Sequence, residues 1–336
     1  PERTNSIREW DRNETIERRG RMRLSIFLFL CAVLFVCPSC TTTDTVRFDL
    51  YFLNASIRER TLGFIEGATV SLDLCVYDIS DPEVLRALAG KAAQGVAVRV
   101  VTEADNLAEL GLLTRELEVV VDDDRGLMHC KYMIADGKQV WGGSTNLTKT
   151  SLDNHYNDIF IASDPFIVRR FQDHFEHCMN GLFKSDRPSA KEKGPVYFSP
   201  EDLPFNALMN LLSSAKEEVL IGIYAFSDYR IAHFLKVLSA HGVEIYVFAD
   251  RGWNQGSPYS QSVEVDQYTL LRYDLLETGL MHQKFIVVDR SAVLFGTYNF
   301  TASAETKNDE YLILSREASV VERFRQRFFE LWKASE

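Results

Sequence analysis

His129-Cys130-Lys131-Tyr132-Met133-Ile134-Ala135-Asp136, with Gly143-Ser144-Thr145-Asn146 just beyond, recurs as His282-Gln283-Lys284-Phe285-Ile286-Val287-Val288-Asp289 with Gly296-Thr297-Tyr298-Asn299. Histidine, lysine, aspartate, glycine, a hydroxyl residue and asparagine keep the same spacing in both copies. Each residue of the second copy lies 153 positions after its partner. One such copy is expected by chance on the order of once in ten million starting positions. Two in register mean an internal duplication, and one that keeps its polar residues points to a single site built from two halves.

The flanking sequence repeats too. Apolar runs Val70–Tyr77 and Val219–Phe226 read as buried strands, and Pro82–Gln94 and Tyr229–Ala240 as helices closed by Gly95 and Gly242. Further strands are expected at Val96–Thr102 and Val243–Ala249, at the motif segments Met128–Ala135 and Met281–Val288, at Gln139–Gly142 and Ala292–Phe295, and at Ile159–Ala162 and Tyr311–Leu314. Helices Pro165–Met179 and Ser319–Lys333 close the halves. This order predicts an α/β protein: two tandem sandwich halves, 41–185 and 205–336. Asp186–Pro204, polar and holding four prolines, reads as the linker.

Residues 1–40 are a different object. Met22-Arg23 opens an apolar stretch, Leu24–Val36, that ends at Cys37-Pro38-Ser39-Cys40. It falls short of the roughly twenty residues a membrane-spanning helix requires, and reads as a cleaved signal. It resembles a bacterial lipoprotein signal, with Ser39 before a lipid-modified Cys40, although Cys37 and Pro38 depart from the usual aliphatic choice. That resemblance implies export and a lipid anchor at Cys40, with Pro1–Arg21 as upstream sequence.

The formal charge of −11 disfavours broad, non-specific nucleic-acid binding, which needs a basic face. Beyond Cys40, Cys75, Cys130 and Cys178 are odd in number and widely spaced. They predict buried, reduced thiols and no disulfide framework.

On a strand, residues two apart share a face, so His129 and Lys131 point together, as do His282 and Lys284. The Gly-Ser/Thr-x-Asn segments put a hydroxyl and an amide after a glycine, where backbone can approach a ligand closely. The assembled inventory suits a phosphodiester. Lys131 and Lys284 would neutralise the non-bridging oxygens, and Ser144, Asn146, Thr297 and Asn299 would donate hydrogen bonds to the phosphate. One neutral histidine can attack phosphorus, and a protonated one can supply the leaving oxygen's proton. No metal or other cofactor is expected, because each histidine has a lysine as its same-face neighbour. His155, His174, His177, His233 and His241 have no matched partner, and His174 and His177 read as surface or interface residues.

At these residues the chain resembles the phospholipase D superfamily, over roughly Val46 to Glu336. The resemblance implies halves related by a pseudo-twofold axis, a monomer acting as an internal pseudo-dimer, and one metal-independent site working through a covalent phosphohistidine. Carried over, His129 is the expected nucleophile and His282 the general acid, while Asp136 and Asp289 brace the motif. The family also has an acidic residue against an active-site histidine, matched here by Glu310. Aligning the following strands pairs Asp158 with Glu310, the preferred reading; counting eleven residues past Asn146 reaches Asn157 instead.

Three substrates fit: phospholipids, served by an enzyme held at the membrane; nucleic acid, since Gly296–Asn308 is similar to small bacterial nucleases of the superfamily; or an acceptor alcohol, as in cardiolipin synthases. Those synthases usually carry two membrane-spanning helices, which this sequence does not show. A non-enzymatic phosphate-binding module is the plainest alternative. In the expected loops Asp105–Asp124 and Arg251–Thr278, Trp253, Tyr259, Tyr268 and Tyr273 either line an acyl or head-group pocket, stack on bases, or pack within the loop.

Overall fold

Both halves fold as seven-stranded sheets of identical strand order, in a computed structural model that describes residues 47–111, 117–191 and 194–336. The first half contributes β1 (Phe48–Tyr51), β2 (Ser71–Val76), β3 (Ala97–Glu103), β4 (Glu118–Asp122), β5 (Lys131–Ala135), β6 (Gln139–Gly143) and β7 (Ile159–Ala162). They lie in the order β1-β7-β6-β5-β2-β3-β4. The second contributes β8 (Val196–Ser199), β9 (Glu218–Ile223), β10 (Glu244–Ala249), β11 (Leu270–Tyr273), β12 (Lys284–Val288), β13 (Ala292–Gly296) and β14 (Glu310–Ser315). Their order, β8-β14-β13-β12-β9-β10-β11, repeats the first. In each sheet one wing is parallel and the motif strand pairs antiparallel on both sides.

The apolar runs become central strands because both sheet faces are covered. β5 and β12 are buried along their whole length. On the outer faces, Ile57, Phe64, Val84 and Leu88 of helices Asn54–Gly67 and Pro82–Ala93 pack on the first sheet. Leu208, Leu211, Ile231 and Leu235 of helices Pro204–Ser213 and Tyr229–Ala240 do the same on the second. The inner faces share one aromatic core with the closing helices Pro165–Met179 and Ala318–Ala334. Phe160 and Phe295, one from each half, stand with ring centroids 5.9 Å apart there. Helix starts follow local chemistry: Asp81 Oδ1 accepts the N–H groups of Glu83 and Val84, and Asp164 Oδ1 those of Phe166 and Ile167.

Several expectations need correcting. Asp186–Pro204 is no free linker. It carries β8, which pairs with β14 between Pro195 and Pro200, prolines that an edge strand tolerates. Asp105–Asp124 and Arg251–Thr278 hold the parallel edge strands β4 and β11. The motif strands begin at the lysines, so His129 and His282 lie on approach segments that leave their own sheet. His174 is core, stacked on Phe198 at 4.0 Å with Tyr132 Oη 2.7 Å from its Nδ1. Cys75, Cys130 and Cys178 are buried free thiols. Cys40 and the signal-like segment lie outside the described residues.

Candidate active site

The two approach segments are each held by the opposite half. Asp309 O accepts the His129 N–H and Tyr156 O the His282 N–H, both at 2.9 Å. His129 Nδ1 lies 2.7 Å from Glu310 Oε2 across the halves. His282 Nδ1 lies 3.0 Å from Ser144 O and 3.1 Å from Asn157 Oδ1, both first-half atoms. Tyr311 ties the halves further, accepting the Gly143 N–H at 2.7 Å and donating to Lys131 O at 3.1 Å.

Lys131 Nζ donates to His129 O at 2.7 Å, and Lys284 Nζ makes the matching bond to His282 O. Tyr77 and Tyr224, which the sequence reading missed, flank the site symmetrically. Lys131 and His129 lie 5.0 and 5.1 Å from the Tyr77 ring, and Lys284 and His282 lie 5.1 and 5.0 Å from that of Tyr224. Tyr77 directly follows β2 and Tyr224 directly follows β9.

All four motif side chains are buried, and each feels its neighbours' charge. Burial, partly opposed by Glu310, pushes Lys131 down to about 8. Burial and the nearby Lys131 hold Lys284 well below the ordinary lysine range. Burial takes His129 down to about 4, with Glu310 opposing and Lys131 adding to the fall. His282 is held well below the usual imidazole range by burial, Lys284 and Lys131. The site therefore disfavours its own positive charge and is suited to an incoming anion.

The other expected residues divide. Asn146 and Asn299 are half-buried beside the motif strands. Asn299 Oδ1 accepts the Ala225 N–H at 3.3 Å, which leaves its amide N–H groups to donate. Ser144 and Thr297 do not suit the phosphate-binding role, because both are fully buried with protein partners. Ser144 Oγ lies 2.9 and 3.0 Å from Asn157 Oδ1 and Asp158 Oδ1, and Thr297 Oγ1 accepts the Tyr311 N–H at 3.0 Å. The preceding glycines serve backbone packing rather than a ligand. A Cβ on Gly143 or Gly296 would meet Asp158 O at 2.2 Å or Tyr311 O at 2.4 Å.

The pairing of Asp158 with Glu310 is overturned. Gly143 faces Ile159 across β6–β7 and Gly296 faces Leu312 across β13–β14, so the 153-residue offset continues without an insertion. Asn157 is the counterpart of Glu310, and Asp158 that of Tyr311. Asp158 Oδ1 accepts from Ser144 Oγ and its Oδ2 has no hydrogen-bond partner among the described residues; burial raises its pKa to about 6. Asp136 and Asp289 lie at the far ends of the motif strands. Asp136 accepts N–H groups of Thr69, Val70 and Ser71, and Asp289 those of Lys216, Glu217 and Glu218.

Cavities of about 420 and 490 Å³ flank helix Pro165–Met179 and include none of the four motif residues. Tyr268 and Tyr273 pack against the second half's outer core, and Tyr259 is exposed. Among the described residues, the cluster of three metal-ligand side chains is Cys75, His174 and Cys178, in the core behind β5. The Tyr132 hydroxyl already engages His174 there.

Two matched sheets, each lending one histidine–lysine pair to a shared centre, define a duplicated α/β protein with a composite site. The chain belongs to the phospholipase D-like family: the family model described as "Cardiolipin synthase, PLD-like domain" matches residues 62–179 and 208–332. It is 36% identical over 126 residues to mitochondrial cardiolipin hydrolase of Homo sapiens, covering 36% of this chain and 50% of that protein. It is 28% identical over 138 residues to a phospholipase D of Rickettsia conorii, covering 41% of this chain and 68% of that one. The chain thus spans about half the length of the cardiolipin hydrolase it matches. Phosphatidylserine synthase of Haemophilus influenzae superposes with a TM-score of 0.66 at 13% identity, over 83% of this chain and 85% of that one. Polyphosphate kinase of Porphyromonas gingivalis gives 0.66 at 14%, over 83% and 46%. At such identities both structures speak for the fold alone.

Proposed function

We propose that this protein is a metal-independent phosphodiesterase of the phospholipase D type, hydrolysing phospholipid diesters through a covalent phosphohistidine. The observation that carries the reading is the burial of two histidines and two lysines at one composite site. Among the described residues, the carboxylate hydrogen-bonded to that quartet is Glu310. A diester phosphate would supply the missing negative charge and restore both ammonium groups and the doubly protonated His282 ring, with Asn146 and Asn299 donating to its oxygens.

His129 is the nucleophile in this reading. Its Nδ1–H faces Glu310, so Nε2 carries the lone pair that attacks phosphorus, and the carboxylate stabilises the cationic phosphorylated ring. As the N–P bond forms and the P–O bond breaks, His282 Nε2 gives its proton to the leaving oxygen. Water then attacks phosphorus while His282 recovers a proton from it; the N–P bond breaks and its electron pair returns to His129. Ser144 O and Asn157 Oδ1 fix the His282 ring with Nε2 turned to this task.

The phospholipid class is supported by the names of the relatives and by the charge of −11, which suits a polyanionic nucleic acid poorly. The proposal includes export and attachment at Cys40, supported by the segment from Met22 to Cys40, and action as a monomer, because one chain supplies both histidines. No described helix is long and apolar enough to cross a membrane.

The test sets phosphatidylcholine and cardiolipin vesicles against single- and double-stranded DNA in EDTA, with His129→Ala and His282→Ala as controls. Head-group release lost in both variants is expected. Cutting of DNA alone would make this a nuclease, and glycerol-dependent diester formation a phosphatidyl transferase. Loss in EDTA that added metal restores would overturn the metal-free mechanism.

A further inference from the structure

The pseudo-twofold axis that pairs Glu310 with Asn157 also pairs Asn308 with His155, and these two are used differently. Asn308 is tied at both ends: its Nδ2 donates to Glu310 Oε1 at 3.2 Å, and its Oδ1 accepts the Leu127 N–H at 3.1 Å. His155 stands half-buried with its ring centroid 5.7 Å from that of His282, and its enclosed Nδ1 has no hydrogen-bond partner. The loop that carries it is held firmly against the second half. Tyr156 N–H donates to Leu280 O at 2.8 Å, and a Cβ on Gly279 would come within 2.2 Å of Asn154 O. An unpaired imidazole on an anchored loop beside one catalytic histidine, and on that side alone, calls for a role.

In-line displacement supplies one. With the attacking Nε2 of His129 on one side of phosphorus, the departing oxygen must lie on the other, beside His282. The water or alcohol that later resolves the phosphohistidine enters along the same line. We propose that His155 forms the subsite for this apical group, holding the departing alcohol and then the incoming hydroxyl by a hydrogen bond to its imidazole. The inference rests on the reading of His129 as nucleophile and His282 as acid. It adds that the choice between water and an alcohol acceptor is set by His155. A neutral imidazole offers one donor and one acceptor. It can therefore donate its N–H to the hydroxyl oxygen, while the proton on that oxygen goes to His282.

The test uses the partition of the common phosphoenzyme. Wild-type, His155→Asn (the residue at the mirror position) and His155→Ala proteins turn over bis(p-nitrophenyl) phosphate in increasing glycerol. The products are separated into the phosphomonoester from water and the glyceryl diester from transfer. Loss of one hydrogen bond to the acceptor is expected to change the transfer-to-hydrolysis ratio by about three- to tenfold. This ratio does not depend on how much of a variant is folded. An unchanged ratio in both variants overturns the proposal.

A second readout separates this from the reading beneath it. The histidine ring resonances of the wild-type protein are followed by NMR as orthovanadate, which adopts the five-coordinate geometry, is added. Those of His155 are assigned by their loss in His155→Asn. A shift of His155 together with His282 is expected. A shift of His282 without His155 overturns the subsite alone, and no shift of either overturns both readings.

Discussion

Glu310→Gln tests which histidine becomes phosphorylated. The glutamine keeps the shape of a fully buried side chain and can still accept from His129 Nδ1, 2.7 Å away, but it carries no charge. A hydrogen bond to a charged group contributes about 1.5–3 kcal/mol and a neutral one about 0.5–1.5. The difference, about 1–2 kcal/mol, is felt when the His129 ring is cationic: in the phosphoenzyme and the transition states on either side of it. This predicts a fall in kcat of about 5- to 30-fold. Asn157→Asp is the reciprocal change. A carboxylate 3.1 Å from His282 Nδ1 favours the protonated ring and moves the alkaline limb of the pH–rate profile upward by about 1–3 units. The assay combines steady-state rates across pH with rapid acid- or base-quench and peptide mapping of the phosphohistidine. Label on the His282 peptide would refute the argument, as would an unchanged Glu310→Gln rate with a normal unfolding midpoint.

Two further predictions come from other parts of the site. Lys131 is held down to about 8 by burial, so raising the pH above that value removes a cation the substrate needs; KM for an anionic diester should rise there, with kcat/KM carrying an additional alkaline limb. A KM flat from pH 7 to 10 would count against Lys131 as a phosphate ligand. Arg187, fully buried, bridges Glu201 at 2.7 Å and Asp309, whose carbonyl holds the His129 N–H. Arg187→Met leaves two buried carboxylates unpaired and should cost about 3–5 kcal/mol in urea unfolding, and Arg187→Lys less. An unchanged midpoint in Arg187→Met would show that this contact matters little.

The parts of the fold legible in the sequence are those buried on both faces. β5 and β12 announce themselves because every side chain is apolar or motif, whereas β4 and β11, half-exposed at sheet edges, read as loops. β8 was hidden between Pro195 and Pro200. Ser144 and Thr297 show a different limit. Local geometry correctly put a hydroxyl after a glycine, yet a sequence cannot say whether backbone or ligand will take its hydrogen bond, and here Asp158 and Tyr311 arrive first. Tyr77 and Tyr224 were legible as members of apolar runs but not as site walls, because that role depends on how their rings meet the lysine and histidine.

The choice between Asn157 and Asp158 turns on one residue of register, and the chemistry turns with it. An acidic partner on each histidine would make the halves nearly interchangeable, and either ring could then attack. Sheet pairing instead gives one histidine a carboxylate and the other an amide and a carbonyl. The same axis sets a tied asparagine on the first side and an unpaired histidine on the second. Both departures from symmetry point the same way. In the proposed mechanism, the side with the charge holds the phosphorylated, cationic ring, and the side with the unpaired imidazole exchanges alcohols and water. Duplication supplied the four motif residues, and on this proposal it is the places where the copies differ that give the reaction its direction.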